Sequence, residues 1–201
     1  MKTLKTAFLF LSLAYLSLYL PVAVVVYTPY WYKVNCGFHG RCDTVGSENA
    51  ARGIDELVSY FRHSRRELND YFWTDKEKNH LSEVRDITDN LALFGVIFLF
   101  VFLFTYDPGR IRRFCVANMV GICSLLLIVP FFGYFWRHVF HPLFFHNRNW
   151  LNTPRDFSYY IMPRVFFKYT LIYMIAASVL INVFLFLLVS YRKGLKYPGV
   201  R

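Results

Sequence analysis

The residues best equipped for chemistry in this 201-residue chain are histidines set among carboxylates. The string Thr74-Asp75-Lys76-Glu77-Lys78-Asn79-His80-Leu81-Ser82-Glu83-Val84-Arg85-Asp86 holds one histidine, four acids and three cations, and runs straight into an apolar stretch. On a helix, residues three or four apart share a face, so His80 has Glu77 on one side and Glu83 on the other. A neighbouring carboxylate holds an imidazole in one tautomer and keeps it basic, which is what a general base near neutral pH requires. The bland alternative is a solvated amphipathic helix whose histidine has no task. A second polar group lies further on, in Trp136-Arg137-His138-Val139-Phe140-His141-Pro142-Leu143-Phe144-Phe145-His146, with Asn149-Trp150 close behind. Its histidine spacing, 138/141/146, matches neither H-E-x-x-H nor a usual zinc set, so no metal is expected.

The elements that must position these residues are helical. Thr74 with Glu77 three residues on is a capping box, which starts a helix at Asp75. No Pro or Gly interrupts it before Gly95, so it continues into the apolar stretch. Upstream, Ile54, Leu57, Val58 and Phe61 form one stripe at helical spacing, with Ser47 and Asn49 as candidate caps. The basic run 62–66 reads as a solvated or headgroup-facing turn.

Composition sets the solvent. Hydrophobic residues make up 56% of the chain and aromatics 20%, a combination that points to several membrane spans. Four apolar stretches reach or approach the roughly 20 residues that cross a bilayer: 6–26, 91–106, 114–134 and 170–190. The first follows Lys2 and Lys5 and is read as an uncleaved anchor, being too long for a signal-peptide core and lacking a small-x-small site. The net charge of +10 is distributed as topology. Lys2 and Lys5, then Arg110, Arg112 and Arg113, then Arg192, Lys193, Lys196 and Arg201 all fall on one side if the N-terminus is cytoplasmic. A nucleic-acid binder would instead pool its bases on one surface. Tyr27, Tyr30, Trp31 and Tyr32 fit an aromatic belt where span one exits.

The expected fold is therefore an all-α membrane protein with four transmembrane helices. A small helical extracytoplasmic domain lies between spans one and two, and a membrane-surface loop between spans three and four. The divisions are 1–26 (cytoplasmic N-terminus and span one), 27–90 (outer helical domain), 91–106 (span two) and 107–113 (cytoplasmic loop). They continue with 114–134 (span three), 135–169 (outer interfacial loop), 170–190 (span four) and 191–201 (cytoplasmic tail). In the outer loop Arg137, Arg148, Arg155, Arg164 and Lys168 face only Asp156. They suit headgroup anchoring by snorkelling side chains, or a site for an anionic lipid or a developing oxyanion.

Cys36 and Cys42 flank Gly37-Phe38-His39-Gly40-Arg41 on the predicted outer side, where a disulfide would close a small loop. A metal site with His39 lacks a second histidine nearby. Cys115 and Cys123 lie within span three, about 12 Å apart along a helix, and are read as packing residues.

Taken with this topology, the motifs resemble the lipoprotein intramolecular transacylase (Lit) family of bacterial integral membrane proteins over nearly the whole chain. The first family signature corresponds to Glu77, His80-Leu81 and Glu83-Val84-Arg85, entering span two. The second corresponds to Phe140-His141, Phe144-Phe145, Asn149-Trp150, Asp156 and Pro163 before span four. Glu83 departs from the expected Asp, keeping the charge on a longer arm.

The resemblance implies an acyltransferase of the cytoplasmic membrane that works on its extracytoplasmic face. It would act on diacylglyceryl-modified lipoproteins in membrane lipid, without cofactor, metal or nucleic acid. The sn-2 acyl chain of an S-diacylglyceryl-cysteine would move to the α-amine of the same cysteine, giving a lyso-form lipoprotein. On that reading His80 is the base, with Glu77 or Glu83 as its orienter, and His141 returns a proton to the leaving glycerol oxygen. Arg85, Arg137, Asn149 and Trp150 are candidate oxyanion donors, and Arg137, Asn149, Trp150 and Asp156 line the substrate site. Two rival readings are a non-enzymatic lipid-binding accessory protein and a membrane hydrolase. The hydrolase lacks G-x-S-x-G, H-E-x-x-H and an intramembrane Asp pair.

Overall fold

The structure, a computed structural model, describes residues 2–196. Arg201 and the side chains of Lys2, Arg192, Lys193 and Lys196, all members of the basic clusters above, lie outside the described residues. The described elements are helical throughout, with no strand among them. Four stretches are long and apolar enough to cross a membrane: Thr3–Tyr27, Asp75–Thr105, Pro108–Phe144 and Arg164–Tyr191. Only a helix satisfies every backbone group internally, as hydrocarbon demands.

The chain divides into two compact units. The first comprises 1–21, 92–127 and 173–201. It draws on helices α1 (Lys2–Tyr27), α5 (Asp75–Thr105), α6 (Pro108–Ser124) and α10 (Arg164–Lys196). Leu13, Ile111, Cys115 and Val189 are its buried core, with Phe102, Phe114, Leu185 and Phe186 packed against them. The outward faces stay apolar, with Leu93, Val96, Phe100 and Phe104 of α5 all exposed, which suits contact with lipid tails. Asn118 donates to Ser17 Oγ at 2.8 Å and to Asn182 Oδ1 at 3.0 Å, and Asn182 donates to the Ser178 carbonyl at 2.8 Å. These bonds tie three helices together and satisfy amides that would otherwise be costly in an apolar bundle. Gly95 is required here, since a Cβ would meet the Tyr19 ring at 2.6 Å. Of the two cysteines in this stretch, Cys115 is fully buried, whereas Cys123 is exposed and packs against no core.

The second unit comprises 22–91 and 128–172. After α1 come α2 (Tyr30–His39), α3 (Cys42–Val45) and α4 (Ser47–Phe61). Gly40, at φ +68°, ends α2 in the left-handed conformation that glycine adopts without strain. The reversal brings Cys42 back to Cys36, and a disulfide joins them with Cα atoms 5.4 Å apart. The tyrosine-rich exit from α1 is only partly a surface belt. Tyr30 is exposed, but Tyr32 is buried against Phe166, and Trp31 Nε1 donates to Thr170 Oγ1 at 2.7 Å. The stripe Ile54, Leu57, Val58 and Phe61 on α4 is buried, as its spacing predicts. The caps differ from expectation: Gly46 occupies the N-cap position and no side chain caps the helix. Gly53 on the same helix lies against Phe157 so tightly that a Cβ would meet the ring at 2.2 Å.

Helix α5 begins at Asp75 and runs unbroken to Thr105, as the capping box requires. Thr74 N–H donates to Glu77 Oε2 at 3.0 Å, and the Glu77 N–H points back to Thr74 Oγ1 at 3.4 Å. The third apolar stretch is irregular. After α6 it tightens to a 3₁₀ helix over Leu125–Phe131, around Pro130, which can neither donate nor fit an α-helical interior. Then follow α7 (Phe132–Phe135), a π-helical turn at Trp136–Phe140, and α8 (His141–Phe144). A loop leads to α9 (Ser158–Ile161) and then to α10.

Candidate active site

The second unit brings His80 and His141 together. Their ring centroids are 6.3 Å apart, and both rings contact Phe145, His80 edge-on at 4.6 Å. His80 comes from the wet end of α5. His141 is buried at the junction of the π-helical turn with α8.

The π-helical turn explains how His141 is held. A regular α-helix pairs each N–H with the carbonyl four residues back. Here the His141 N–H reaches the Trp136 carbonyl, five back, and His141 Nδ1 donates to the same oxygen at 2.7 Å. A carbonyl only accepts, so Nδ1 carries the proton and the free lone pair of His141 is on Nε2. The ring is clamped by aromatics, with Trp150 stacked on it at 4.1 Å and Trp136 edge-on at 4.5 Å. Trp136 is itself stacked between Phe140 and Phe167.

Glu83 is the carboxylate beside His80. Its Oε2 lies 3.6 Å from His80 Nδ1, and neither atom has a hydrogen-bond partner although both are buried. The gap exceeds a hydrogen bond, a looseness common in active sites without substrate. Its other oxygen, Oε1, accepts from Asn147 Nδ2 at 2.5 Å. A carboxylate facing Nδ1 favours the Nδ1–H tautomer and leaves Nε2 of His80 as the basic nitrogen.

Glu77 has other partners. It is 2% exposed, and both its oxygens are fully used. Oε2 accepts from Thr74 N and Oγ1 at 3.0 and 2.9 Å, and Oε1 accepts from Ser158 N and Oγ at 2.7 and 2.6 Å. It ties the start of α5 to the start of α9. Asp156, also buried, makes a parallel tie: it accepts from Lys76 Nζ at 2.5 Å and from Thr153 N and Oγ1 at 2.6 and 2.9 Å. Burial pushes the Asp156 carboxyl up, but the Lys76 ammonium and the two Thr153 donors outweigh it and hold the group below its ordinary range. Lys76 also donates to the Leu151 carbonyl at 2.9 Å. Asp156 therefore faces Lys76 and the 151–156 loop.

The remaining candidates are spread around this centre. Arg85 follows His80 by five residues, about 140° around the helix. Its guanidinium lies over the Tyr60 ring at 4.4 Å and contacts His63, whose Nε2 reaches Asp89 at 2.9 Å. Arg137 is exposed, and no contact joins it to either histidine. Trp150 Nε1 is committed to the Asn147 carbonyl at 3.0 Å. Asn149 is half-buried, with its backbone N–H on Asn147 Oδ1 at 2.9 Å. His138 stacks on Tyr134 and His146 is exposed, so only His141 of the three loop histidines joins His80.

Sequence reasoning passed over Asn147, Ser158, Thr153 and Lys76. An N-x-N run is a signal for a side chain bonding the backbone two residues on, and it marks the turn at Asn147. Nothing local marks Ser158, which lies 81 residues from Glu77. The atoms of Cys36, His39 and Cys42 that could ligate a metal lie within 4.8 Å of one another, but the disulfide occupies both sulfurs.

The family profile described as lipoprotein intramolecular transacylase Lit matches residues 6–167. The chain belongs to the Lit family. Its members are integral membrane acyltransferases that take lipoprotein as substrate, by the family's own description. The solved structure of the Lit transacylase from Bacillus cereus has the same fold: TM-score 0.84 at 17% identity, covering 99% of each chain. Two variants of that protein, with a histidine changed to alanine or to arginine, match at TM-score 0.83 with 17% and 16% identity. They cover 99% of this chain and 96% and 95% of their own. No curated protein matches the sequence.

Proposed function

We propose that this Lit-family protein moves the sn-2 acyl chain of an S-diacylglyceryl-cysteine lipoprotein to the α-amine of the same cysteine. The observation that carries the reading is the histidine pair, with Nδ1 of each ring turned to an acceptor and both Nε2 lone pairs left for proton transfer. The attacking α-amine is an ammonium near neutral pH and must lose a proton first. His80 takes it as general base, kept in its tautomer by Glu83. The amine adds to the ester carbonyl, the tetrahedral intermediate collapses, and the glycerol oxygen leaves with a proton from the His141 side. One ester C–O bond breaks, one amide C–N bond forms, and no proton is lost overall. Donor and acceptor are on one molecule, which supplies much of the orientation that a bimolecular transfer would need.

The oxyanion needs a donor that is not already committed. Trp150 Nε1 and the Arg85 guanidinium are engaged elsewhere. The side-chain amide of Asn149 is the remaining candidate near Trp150, and Arg137 contributes positive charge at the surface. Stacked and edge-on aromatics around His141 supply the apolar walls suited to acyl chains. The charge pattern of Lys2, Lys5, Arg110, Arg112 and Arg113 supports a cytoplasmic N-terminus, with the histidine pair on the extracytoplasmic face of the membrane.

Mass spectrometry of a diacylglyceryl lipoprotein co-expressed with the protein tests this. The expected product is a peptide whose mass is unchanged but whose cysteine carries an N-acyl and an S-monoacylglyceryl group, lost in His80→Ala. An S-diacylglyceryl peptide with a free amine in the presence of wild type would refute the reading. Loss of the acyl chain to water would identify a hydrolase.

A further inference from the structure

We propose that Asn147 is a positioning residue that sets both histidines at once, through Glu83 for His80 and through Trp150 for His141. The proposal rests on the transacylase reading above.

Asn147 uses every polar group it has, in three directions. Its Oδ1 accepts the Asn149 N–H at 2.9 Å, which fixes its own side chain in a turn. That turn leaves Nδ2 one orientation, and Nδ2 donates to Glu83 Oε1 at 2.5 Å. Glu83 is thereby gripped by one oxygen while the other faces His80 Nδ1 across 3.6 Å. The third group, the backbone carbonyl, accepts from Trp150 Nε1 at 3.0 Å, and that indole stacks on His141. One residue thus links the two rings without touching either.

The side-chain type follows from these bonds. Asparagine carries a donor for Glu83 and an acceptor for its own turn on one short arm. Leucine has the volume and neither group. Aspartate keeps the turn but sets a carboxylate where Glu83 needs a donor. Glutamine adds a methylene and misses the two-residue turn. The ionisable groups this side chain faces are Glu83 and, through it, His80.

The test measures N-acylation of a synthetic S-diacylglyceryl-cysteine peptide by purified protein in detergent, read by mass spectrometry, with melting temperatures in parallel. General acid–base groups contribute about 10²–10⁴-fold, so mis-setting one through its orienter is expected to cost at least about tenfold in Asn147→Leu. In a Glu83→Gln background the same change is expected to cost less than about twofold, because the group it positions has gone. Asn147→Asp gives a signature that a packing role would not produce. As pH falls from about 8 to about 5.5, two facing carboxyls come to share a proton, and the shared proton restores the missing donor. The rate relative to wild type should therefore rise as pH falls.

Active wild type with Asn147→Leu within twofold of it, an equal loss in the Glu83→Gln background, or a flat pH ratio for Asn147→Asp each overturns the positioning role. Folded wild type that leaves the peptide unmodified overturns the transacylase reading itself, and the positioning role with it.

Discussion

Two glutamates flank His80 at the same sequence distance, and exchanging each for glutamine should separate their roles. Glu77 accepts four hydrogen bonds inside a site only 2% exposed. Glutamine keeps the shape but has one oxygen and one NH₂, so one of its ends must face donors with a donor. Two bonds are lost, one of them from a backbone N–H that stays buried. At about 1–3 kcal/mol for each orphaned buried group, Glu77→Gln should lose about 2–4 kcal/mol. For a chain of this length that lowers the melting temperature by about 4–16 °C. Glu83 is 40% exposed and grips only Asn147, so Glu83→Gln should leave the melting temperature within about 2 °C. The kinetic effects should run the other way. Glu83→Gln removes the charge that faces His80 Nδ1, so its rate falls and the pH at which the rate reaches half-maximum moves down, since an imidazolium without its carboxylate deprotonates sooner. Glu77→Gln, assayed below its melting temperature, keeps the wild-type half-point. The assay is thermal unfolding in detergent paired with N-acylation rate against pH. A stable Glu77→Gln with a displaced pH profile, beside a Glu83→Gln that melts early with the profile intact, would refute the assignment.

Three other outcomes follow from the same unit. The Asp156 carboxyl is held below its ordinary range in the folded protein, so its contribution to stability is present above about pH 4 and is lost as pH falls through the folded value. Asp156→Asn should be less stable than wild type at pH 7 and should lose less on acidification, as read by unfolding at stepped pH. Gly53→Ala pushes a Cβ into the Phe157 ring and should cost about 1–3 kcal/mol, with part recovered by adding Phe157→Leu, measured by chemical denaturation. Replacing Cys36 and Cys42 by serine opens a short loop and should cost about 2 kcal/mol by the loop-entropy argument. Unreduced wild type should lose the same amount on treatment with a dithiol.

Elements with strong local signals were legible in the sequence. Thr74 and Glu77 mark the start of α5, and the Ile54, Leu57, Val58 and Phe61 stripe marks the buried face of α4. The Lit resemblance was carried by short motifs in the right order along the four apolar stretches. The partners of Glu77 were not legible, because i−3 and i+3 neighbours of His80 look alike until Ser158 arrives from 81 residues away and occupies one of them. Arg85 looked like an oxyanion donor beside His80, yet the helix turns it toward Tyr60 and His63. The π-helical turn leaves no trace in residue types, since Trp136–Phe140 would read the same in an α-helix. Tyr32 reads as a belt residue, and the ring that covers it, Phe166, lies on the last long helix.

The widened turn at Trp136–Phe140 also works as a counting device. It holds one residue more than an α-helix of the same height, and that extra residue decides where the next side chain points. Deleting one residue, Val139 for example, would let the helix heal into regular α-geometry, at little cost to the backbone. Everything after it would swing by about 100°, carrying the imidazole of His141 away from the Trp136 carbonyl. The segment is thus constrained by length as well as by composition. Side-chain exchanges there are graded changes, whereas a single-codon deletion would discard the histidine pair while leaving a better helix.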